Sequence, residues 1–326
     1  MKIKNIYVEK QVENHTNTLK ILNKIKFENL ITCNHYSEIF NSNNQNFRVQ
    51  KNHPSIILAK KINNFIFEAP KNFSIGFENN FYFSHMLNCV YDCKYCYLQG
   101  MLNSANYLIF VNYEDFFYSI KKKIKENVKS TCFFSGYDCD SLALENITNF
   151  LDSFISKFQY LKKGFLEIRS KSININILKK FQPSPNIIPA FSLNPESIIR
   201  EYEDKTPSLK ARLDAIKNLQ ELGWNIGLRF DPLIWNNKKR NYEDFFSFVF
   251  NFLNVQKLHS VTLGSFRMPS KYLKKIAKIR PDNYLIQKEN TKRLLEIKTE
   301  DLNKEAKKFC ESQILKYLPK QKLFLN

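Results

Sequence analysis

The sequence predicts an α/β protein: a partial (β/α)6 TIM-like barrel with a short N-terminal extension and a helical C-terminal region. Three observations predict it. From Phe81 onward, apolar runs of strand character alternate with stretches whose apolar residues recur at helical spacing. Strands that alternate with helices pair in parallel through right-handed crossovers, and a sheet built that way rolls toward a barrel. Each strand run then ends in a polar or cysteine-bearing segment, as expected where chemistry sits on loops leaving the C-terminal ends of barrel strands. The length, 326 residues, suffices for one barrel with a large core.

Residues 1–80 form the extension, packed on the barrel. Ile3–Val8 reads as a strand, followed by a polar helix to about Ile25. Between residues 31 and 80, short apolar runs alternate with Asn-rich turns, and Ser55–Ala59 and Phe65–Phe67 are predicted strands. Residues 81–270 form the barrel. Phe81–Phe83 is its first strand, running into a cysteine loop, and Tyr113–Val128 is a helix. Thr131–Ser135 is the second strand, and Leu144–Phe158 the next helix, with Asp140 and Ser141 placed to cap it. Phe165–Ile168 is the third strand, followed by a helix over Ile173–Phe181 that ends before Pro183. Ile187–Leu193 is the fourth strand, and the helix Leu209–Leu222 stops at Gly223. Asn225–Phe230, the helix Tyr242–Leu253 and Ser260–Leu263 supply the fifth and sixth strands. Residues 271–326 are basic, with a helical run from about Lys271 to Tyr317 broken near Pro281. All three regions are expected to form one structural unit.

Cys89, Cys93 and Cys96 stand at C-x3-C-x2-C spacing on the loop after the first strand. Three thiolates this close in sequence can converge on one metal site, the alternative being three ordinary buried cysteines. Tetrahedral zinc takes four ligands, and no further Cys or His follows closely, which leaves His85 as the nearby candidate. An iron–sulfur cluster held by three cysteines instead leaves one iron open, and an open iron binds the amine and carboxylate of S-adenosylmethionine (SAM). The other strand exits are also polar: Ser135-Gly136-Tyr137-Asp138, Arg169-Ser170-Lys171, Ser192-Leu193-Asn194, Arg229-Phe230-Asp231 and Ser265-Phe266-Arg267. Formal charge is +19, from 50 basic and 31 acidic residues. That excess points to a polyanionic partner, most simply nucleic acid, although a bias toward Lys, Asn, Ile and Phe accounts for part of it. Seven cysteines, an odd count with a cluster and without a secretory leader, argue for a reducing cytoplasmic setting. No apolar run approaches the roughly 18 residues of a membrane span.

The cysteine spacing is similar to the signature of the radical SAM superfamily, and Cys89 through Gln99 resembles the cluster loop of the spore photoproduct lyase family within it. The likeness continues in order: Ile6-Tyr7-Val8-Glu9, Asp140 to Thr148, Phe191-Ser192-Leu193-Asn194-Pro195-Glu196, Glu203, Thr206-Pro207-Ser208-Leu209, Arg212, Phe266-Arg267-Met268-Pro269 and Lys271. The resemblance implies a partial barrel of the radical SAM type, with a [4Fe-4S] cluster on Cys89, Cys93 and Cys96. It implies cleavage of SAM to a 5′-deoxyadenosyl radical and a carbon–carbon lyase reaction that repairs a thymine photolesion in DNA. Lys171 and Ser192 would hold SAM. Tyr95 and Tyr97 would supply SAM contact and a radical relay; from the residues alone, both tyrosines read equally as loop packing. A DNA substrate and an electron donor such as flavodoxin or ferredoxin are implied as partners.

Three departures bear on the site. The family's hydrogen-donor cysteine lies three positions before the Asp matching Asp140, and that position is Tyr137. Cys139 either takes over the donor role on a re-routed loop or is a small buried side chain. The family's Gly- and aromatic-rich hairpin near the C-terminus has no counterpart after Pro281, where the tail is rich in Lys and Glu. Gly227 to Pro232 replaces a more apolar family stretch, so Arg229 and Asp231 either bind the SAM ribose or carboxylate or pair with each other. Lys271, Lys274, Lys275, Lys278 and Arg280 are candidate phosphate contacts, or a solvated helix face. Two further readings stay open: the same cofactors with an RNA, nucleotide or peptide substrate, and a non-enzymatic metal-bearing nucleic-acid binder.

Overall fold

A computed structural model of the chain describes residues 2–71, 73–235, 239–294 and 300–326. The extension runs β1 (Lys2–Glu9), α1 (Thr16–Leu22), β2 (Lys26–Cys33), α2 (Ser37–Phe40), α3 (Phe47–Asn52) and β3 (Ile56–Ala59). A short hairpin of β4 (Phe67–Glu68) and β5 (Asn79–Tyr82) follows. The cysteine region holds β6 (Met86–Leu87), β7 (Asp92–Cys93), α4 (Leu98–Met101) and β8 (Tyr107–Phe110). Next come α5 (Tyr113–Glu126), β9 (Thr131–Ser135), α6 (Glu145–Thr148), α7 (Phe150–Phe158), β10 (Gly164–Ser170) and β11 (Ile187–Ser192). They are followed by α8 (Glu196–Tyr202), β12 (Glu203–Asp204), α9 (Leu209–Glu221), β13 (Ile226–Leu233), α10 (Lys239–Phe252) and β14 (Leu258–Ser265). The chain closes with α11 (Ser270–Ile279), α12 (Tyr284–Leu294), α13 (Glu300–Ile314) and β15 (Leu323–Leu325).

The six expected barrel strands β5, β9, β10, β11, β13 and β14 pair in sequence order, all parallel. β15 adds a seventh parallel strand beside β14, and β4 lies antiparallel on the far edge. A second sheet, in the order β2-β1-β3-β8-β6, joins the extension to strands that flank the cysteines. The sequence pattern did not show β2, β8 or β15. β2 is mostly exposed, so it has no apolar face to reveal it. β8 is fully buried and only four residues long, too short for periodicity to identify.

Local chemistry altered two expected helices. The segment expected as a helix over Ile173–Phe181 forms only a 3-10 turn at Leu178–Lys180. Ser172 Oγ accepts from Asn174 N, and Asn174 Nδ2 donates to Leu142 O. Such side-chain bonds to backbone compete with helix formation. The Leu144–Phe158 helix is broken at Asn149, whose φ is 49°. Glu145 then accepts from Leu151 N and Asp152 N across the break. Asp140 caps a turn, accepting from Leu142 N and Ala143 N. The basic C-terminal run forms three helices, and its residues 295–299 lie outside the described residues.

Strand alternation sorts the barrel side chains. Leu166, Ile168, Phe191, Leu228, Phe230, Val261 and Leu263 face outward into the main core with Phe150, Phe154, Leu213 and Phe246. Burial of each such side chain contributes about 1.5–3 kcal/mol. The intervening positions, among them Glu167, Arg169, Ser192, Arg229 and Asp231, face the lumen. Its base is filled by Phe73, Ile75 and Phe77 from the β4–β5 turn, packed on Cys132, Phe134, Phe165 and Ile188. The lumen is thus apolar below and polar at the strand exits.

Candidate metal centre

The loop carrying Cys89, Cys93 and Cys96 is fastened from several directions. β7 pairs antiparallel with β12, setting Cys93 opposite Glu203. Lys94 N donates to Tyr202 O at 2.7 Å, and Gln99 Nε2 donates to Cys93 O at 2.8 Å. Arg280, just after α11, donates to both Asp92 and Gln99. Lys275 Nζ donates to Leu102 O at 2.8 Å. α11 lies so close to α4 that a Cβ on Gly100 would stand 2.5 Å from Tyr272 Cβ, so glycine is required by proximity. Lys275 and Arg280, candidate phosphate contacts in the sequence, therefore clamp the loop instead, while Lys271, Lys274 and Lys278 are exposed.

All three cysteines are free; Cys93 is buried, and Cys89 and Cys96 are partly buried. Burial raises each thiol's pKa, that of Cys89 to about 12. The three perturb one another, and Lys51 and Lys171 oppose the rise. A metal bound by these thiols would supply the charge that favours their thiolate forms, and its binding would release protons. Among the described residues no three His, Cys, Asp or Glu side chains are set to hold a single metal ion. In an iron–sulfur cluster each thiolate takes its own iron, so the three sulfurs need not converge on a single ion. His85 is no fourth ligand. Its ring stacks on Phe150 with centroids 3.7 Å apart, and burial lowers its pKa to about 3.

A buried ionic network lies beneath the loop. Arg212 Nη2 donates to Glu203 Oε2 at 2.5 Å, and both side chains are fully buried. Arg212 also donates to Ser192 O and Pro207 O, each at 3.0 Å. Tyr95 OH donates to Glu203, as does Asn194 Nδ2 at 2.9 Å. Lys171 Nζ lies 5.7 Å from the Tyr95 ring centroid. Burial opposes the charge of Lys171, but Glu203 and Cys93 outweigh it and raise its pKa.

Tyr97 looks the other way. Its OH donates to Tyr137 O at 2.6 Å and to Asp138 Oδ1 at 3.2 Å. Tyr137 is half-exposed at the lumen mouth, stacked on Tyr82 at 4.1 Å with its centroid 6.1 Å from Tyr97. Cys139 is 9% exposed and packs into the extension core with Ile6, Val8, Ile109 and Leu144. It closely follows Gly136, whose φ of 76° turns the chain there.

Arg229 corrects an expectation. It was a candidate for the SAM ribose or carboxylate, or for pairing with Asp231; every guanidinium nitrogen is instead engaged inside the barrel. Nε and Nη2 donate to Glu167 at 3.2 and 2.8 Å, Nη1 to Leu228 O and Ser260 O, and Nη2 also to Ser260 Oγ. A Cβ on Gly227 would lie 2.4 Å from Arg229 Nη2, so this glycine makes room for the guanidinium. Arg169 Nε donates to the same Glu167 at 2.9 Å, leaving its Nη2 buried without a partner. Asp231 is half-buried and leans over Gly264. Ser192 is buried at the exit of β11. Sequence reading gave no role to Lys51, Asp138, Glu167 or the Glu203–Arg212 pair. Glu203 and Arg212 stood among the residues of the family likeness and Asp138 in a polar strand exit, and Glu167 stands two residues before Arg169 on the same strand face; Lys51 left no signal.

A half-barrel with a three-cysteine loop after its first strand is a fold of the radical SAM type. A family model described as spore photoproduct lyase matches residues 4–323, and the chain belongs to that family. It is 28% identical over 147 residues to the spore photoproduct lyase of Geobacillus sp. (strain Y412MC61), covering 44% of this chain and 43% of that one. It is 25% identical over 200 residues to the spore photoproduct lyase of Clostridium acetobutylicum, covering 60% of this chain and 59% of that one. The chain thus spans about half the length of the curated relatives it matches. A solved spore photoproduct lyase complexed with dinucleoside spore photoproduct superposes with a TM-score of 0.80 at 17% identity, over 99% of this chain and 98% of that one. A variant with bound AdoMet and dinucleoside spore photoproduct gives 0.79 at 17% identity, with the same coverage. At that identity these likenesses concern the fold.

Proposed function

We propose that the chain is a radical SAM lyase that acts on a thymine photolesion in DNA. The observation that carries the reading is the partly buried cysteine loop after the first barrel strand, with Lys171 acting on Cys93 and Cys96 from the exit of β10 and Ser192 at the exit of β11. In this reading Cys89, Cys93 and Cys96 hold a [4Fe-4S] cluster. When bound, the cluster passes an electron to SAM, which yields methionine and a 5′-deoxyadenosyl radical. Lys171 and Ser192 would hold SAM, and Asp231 would bind its ribose or carboxylate.

The residues of the chain position the reactants and exclude water. Tyr95 acts by fixing Glu203 and the loop, since its hydroxyl is engaged there. Tyr97, whose hydroxyl bonds to the Tyr137 carbonyl and to Asp138, is the candidate for the radical relay in this reading. Cys139, the candidate hydrogen donor, packs in the extension core close enough to Cys89 for that thiol to perturb its own, while Tyr137, at the family donor's position, lies at the lumen mouth. A lesion in duplex DNA must leave the stack to reach this mouth, while exposed Lys271, Lys274 and Lys278 meet phosphates. A small redox protein such as flavodoxin or ferredoxin supplies the electron. Seven free cysteines suit a reducing cytoplasm. No helix among the described residues is long and apolar enough to cross a membrane.

The test is anaerobic. The protein is reconstituted with iron and sulfide, reduced and given SAM, and 5′-deoxyadenosine is quantified with and without UV-irradiated DNA. Lesion-stimulated turnover supports the reading. Turnover indifferent to DNA keeps the cofactors and moves the substrate to RNA, a nucleotide or a peptide, a reading favoured by the C-terminal segment, which among the described residues folds as α12, α13 and β15 without a lesion-probing hairpin. A colourless protein with stoichiometric zinc would overturn both.

A further inference from the structure

Lys51 lies on α3, outside the barrel, yet its side chain reaches the cysteine loop. The residue is 4% exposed. Its Nζ donates to Cys89 O and stands 5.8 Å from the Tyr107 ring centroid. Lys205 Nζ donates to the Lys51 carbonyl at 3.3 Å, holding the helix end in place. Among the described residues, Lys51 forms no ion pair with a carboxylate. A buried, unpaired ammonium is costly, so the position calls for an anion. The anionic groups it would meet in a loaded protein include the Cys89 and Cys96 thiolates, on which Lys51 acts electrostatically.

We propose that Lys51 is an electrostatic positioning residue for the cluster: a fixed positive charge, supplied by the N-terminal extension, that favours the reduced state. The proposal rests on the cluster assignment above. Reduction adds one electron, and so one negative charge, to a group already ringed by thiolates. A buried cation beside two of those thiolates stabilises the added charge, because screening there is weak. The extension thereby gains a role in setting how readily the small redox donor reduces the cluster. Lys171 supplies a comparable charge from the barrel side, at Cys93 and Cys96.

The experiment is an EPR-monitored redox titration of the reconstituted full-length protein and two variants. Lys51→Gln keeps an N–H donor for Cys89 O and removes the charge; Lys51→Arg keeps the charge. At a fixed ambient potential, Lys51→Gln is expected to raise the oxidised-to-reduced ratio about tenfold, a downward shift of about 59 mV for a one-electron couple. Lys51→Arg should remain within about twofold of wild type. A Lys51→Gln potential equal to that of wild type overturns the proposal alone. Iron lost from Lys51→Gln but kept in Lys51→Arg supports the charge role, whereas iron lost from both makes Lys51 a loop strut and overturns it. A wild-type protein that assembles no cluster overturns the underlying assignment and the proposal together.

Discussion

Beneath the cysteine loop, Glu203 stands between Arg212 and Lys171; in the lumen, Glu167 stands between Arg229 and Arg169. Each network sets one carboxylate against two cations, and each carries a positive charge in excess. They differ in where that excess faces. Lys171 faces Cys93 and Cys96, whereas Arg169 holds an unpartnered Nη2 in the lumen and stacks on Phe73 at 4.6 Å. The same ionic pattern therefore supports a cofactor loop in one place and braces a barrel interior in the other. An ion pair's composition does not reveal its role; the direction of its surplus charge does.

The sharpest way to break this contrast is to remove the loop's own chemistry. Cys93→Ala should reduce bound iron and 5′-deoxyadenosine production to background while the far-UV circular dichroism stays that of wild type. Retained iron would detach the Glu203 network from any cofactor. In the lumen, Glu167→Gln leaves two buried guanidinium groups without a counter-charge, at a cost of about 3–5 kcal/mol. Urea unfolding should show that loss, with iron per folded molecule unchanged. Arg212→Met should cost less, about 2–3 kcal/mol, because Glu203 keeps Tyr95, Asn194 and Lys171. Unlike the lumen variant, it should release iron to a chelator faster; equal release rates would erase the distinction.

Acid sharpens the same comparison. Burial works against the charge of Glu167, but Arg229 and Arg169 prevail and hold its pKa at about 2. A carboxyl depressed on folding contributes stability that is present above its ordinary pKa and lost as pH falls through the depressed one. Between pH 5 and pH 3, wild type should therefore lose about 2 kcal/mol more than Glu167→Gln, read from urea midpoints at each pH. The smallest effect belongs to the outer surface. Replacing Lys271, Lys274 or Lys278 by Gln should make the salt dependence of DNA binding shallower, by about one unit for every phosphate that a lysine no longer neutralises. An unchanged slope would leave those lysines as a solvated face.

Much of the architecture was legible because it is written at short range. Thr131–Ser135 was bounded correctly from its apolar run, and Gly223, with φ of 100°, ends α9 as the sequence indicated. The cysteine trio was equally plain, being one loop. β8 was missed because four buried residues carry no period. Arg229 was read as a SAM contact or a partner of Asp231 because both stand at one strand exit, while its partner in space, Glu167, lies 62 residues away. Lys51 gave no signal at all, being one lysine among many in a basic chain.

The sequence by itself determined the alternation of strands and helices, the three thiols and the polar strand exits, since helical and strand periods and ligand spacing are properties of neighbouring residues. Only the tertiary structure decided which charges meet: Glu203 with Arg212, Glu167 with Arg229, Arg280 with Asp92 and Lys51 with the Cys89 carbonyl. The physical reason is desolvation. A buried charge must find a partner, and which partner is near depends on how distant segments cross, a matter that local spacing leaves undetermined.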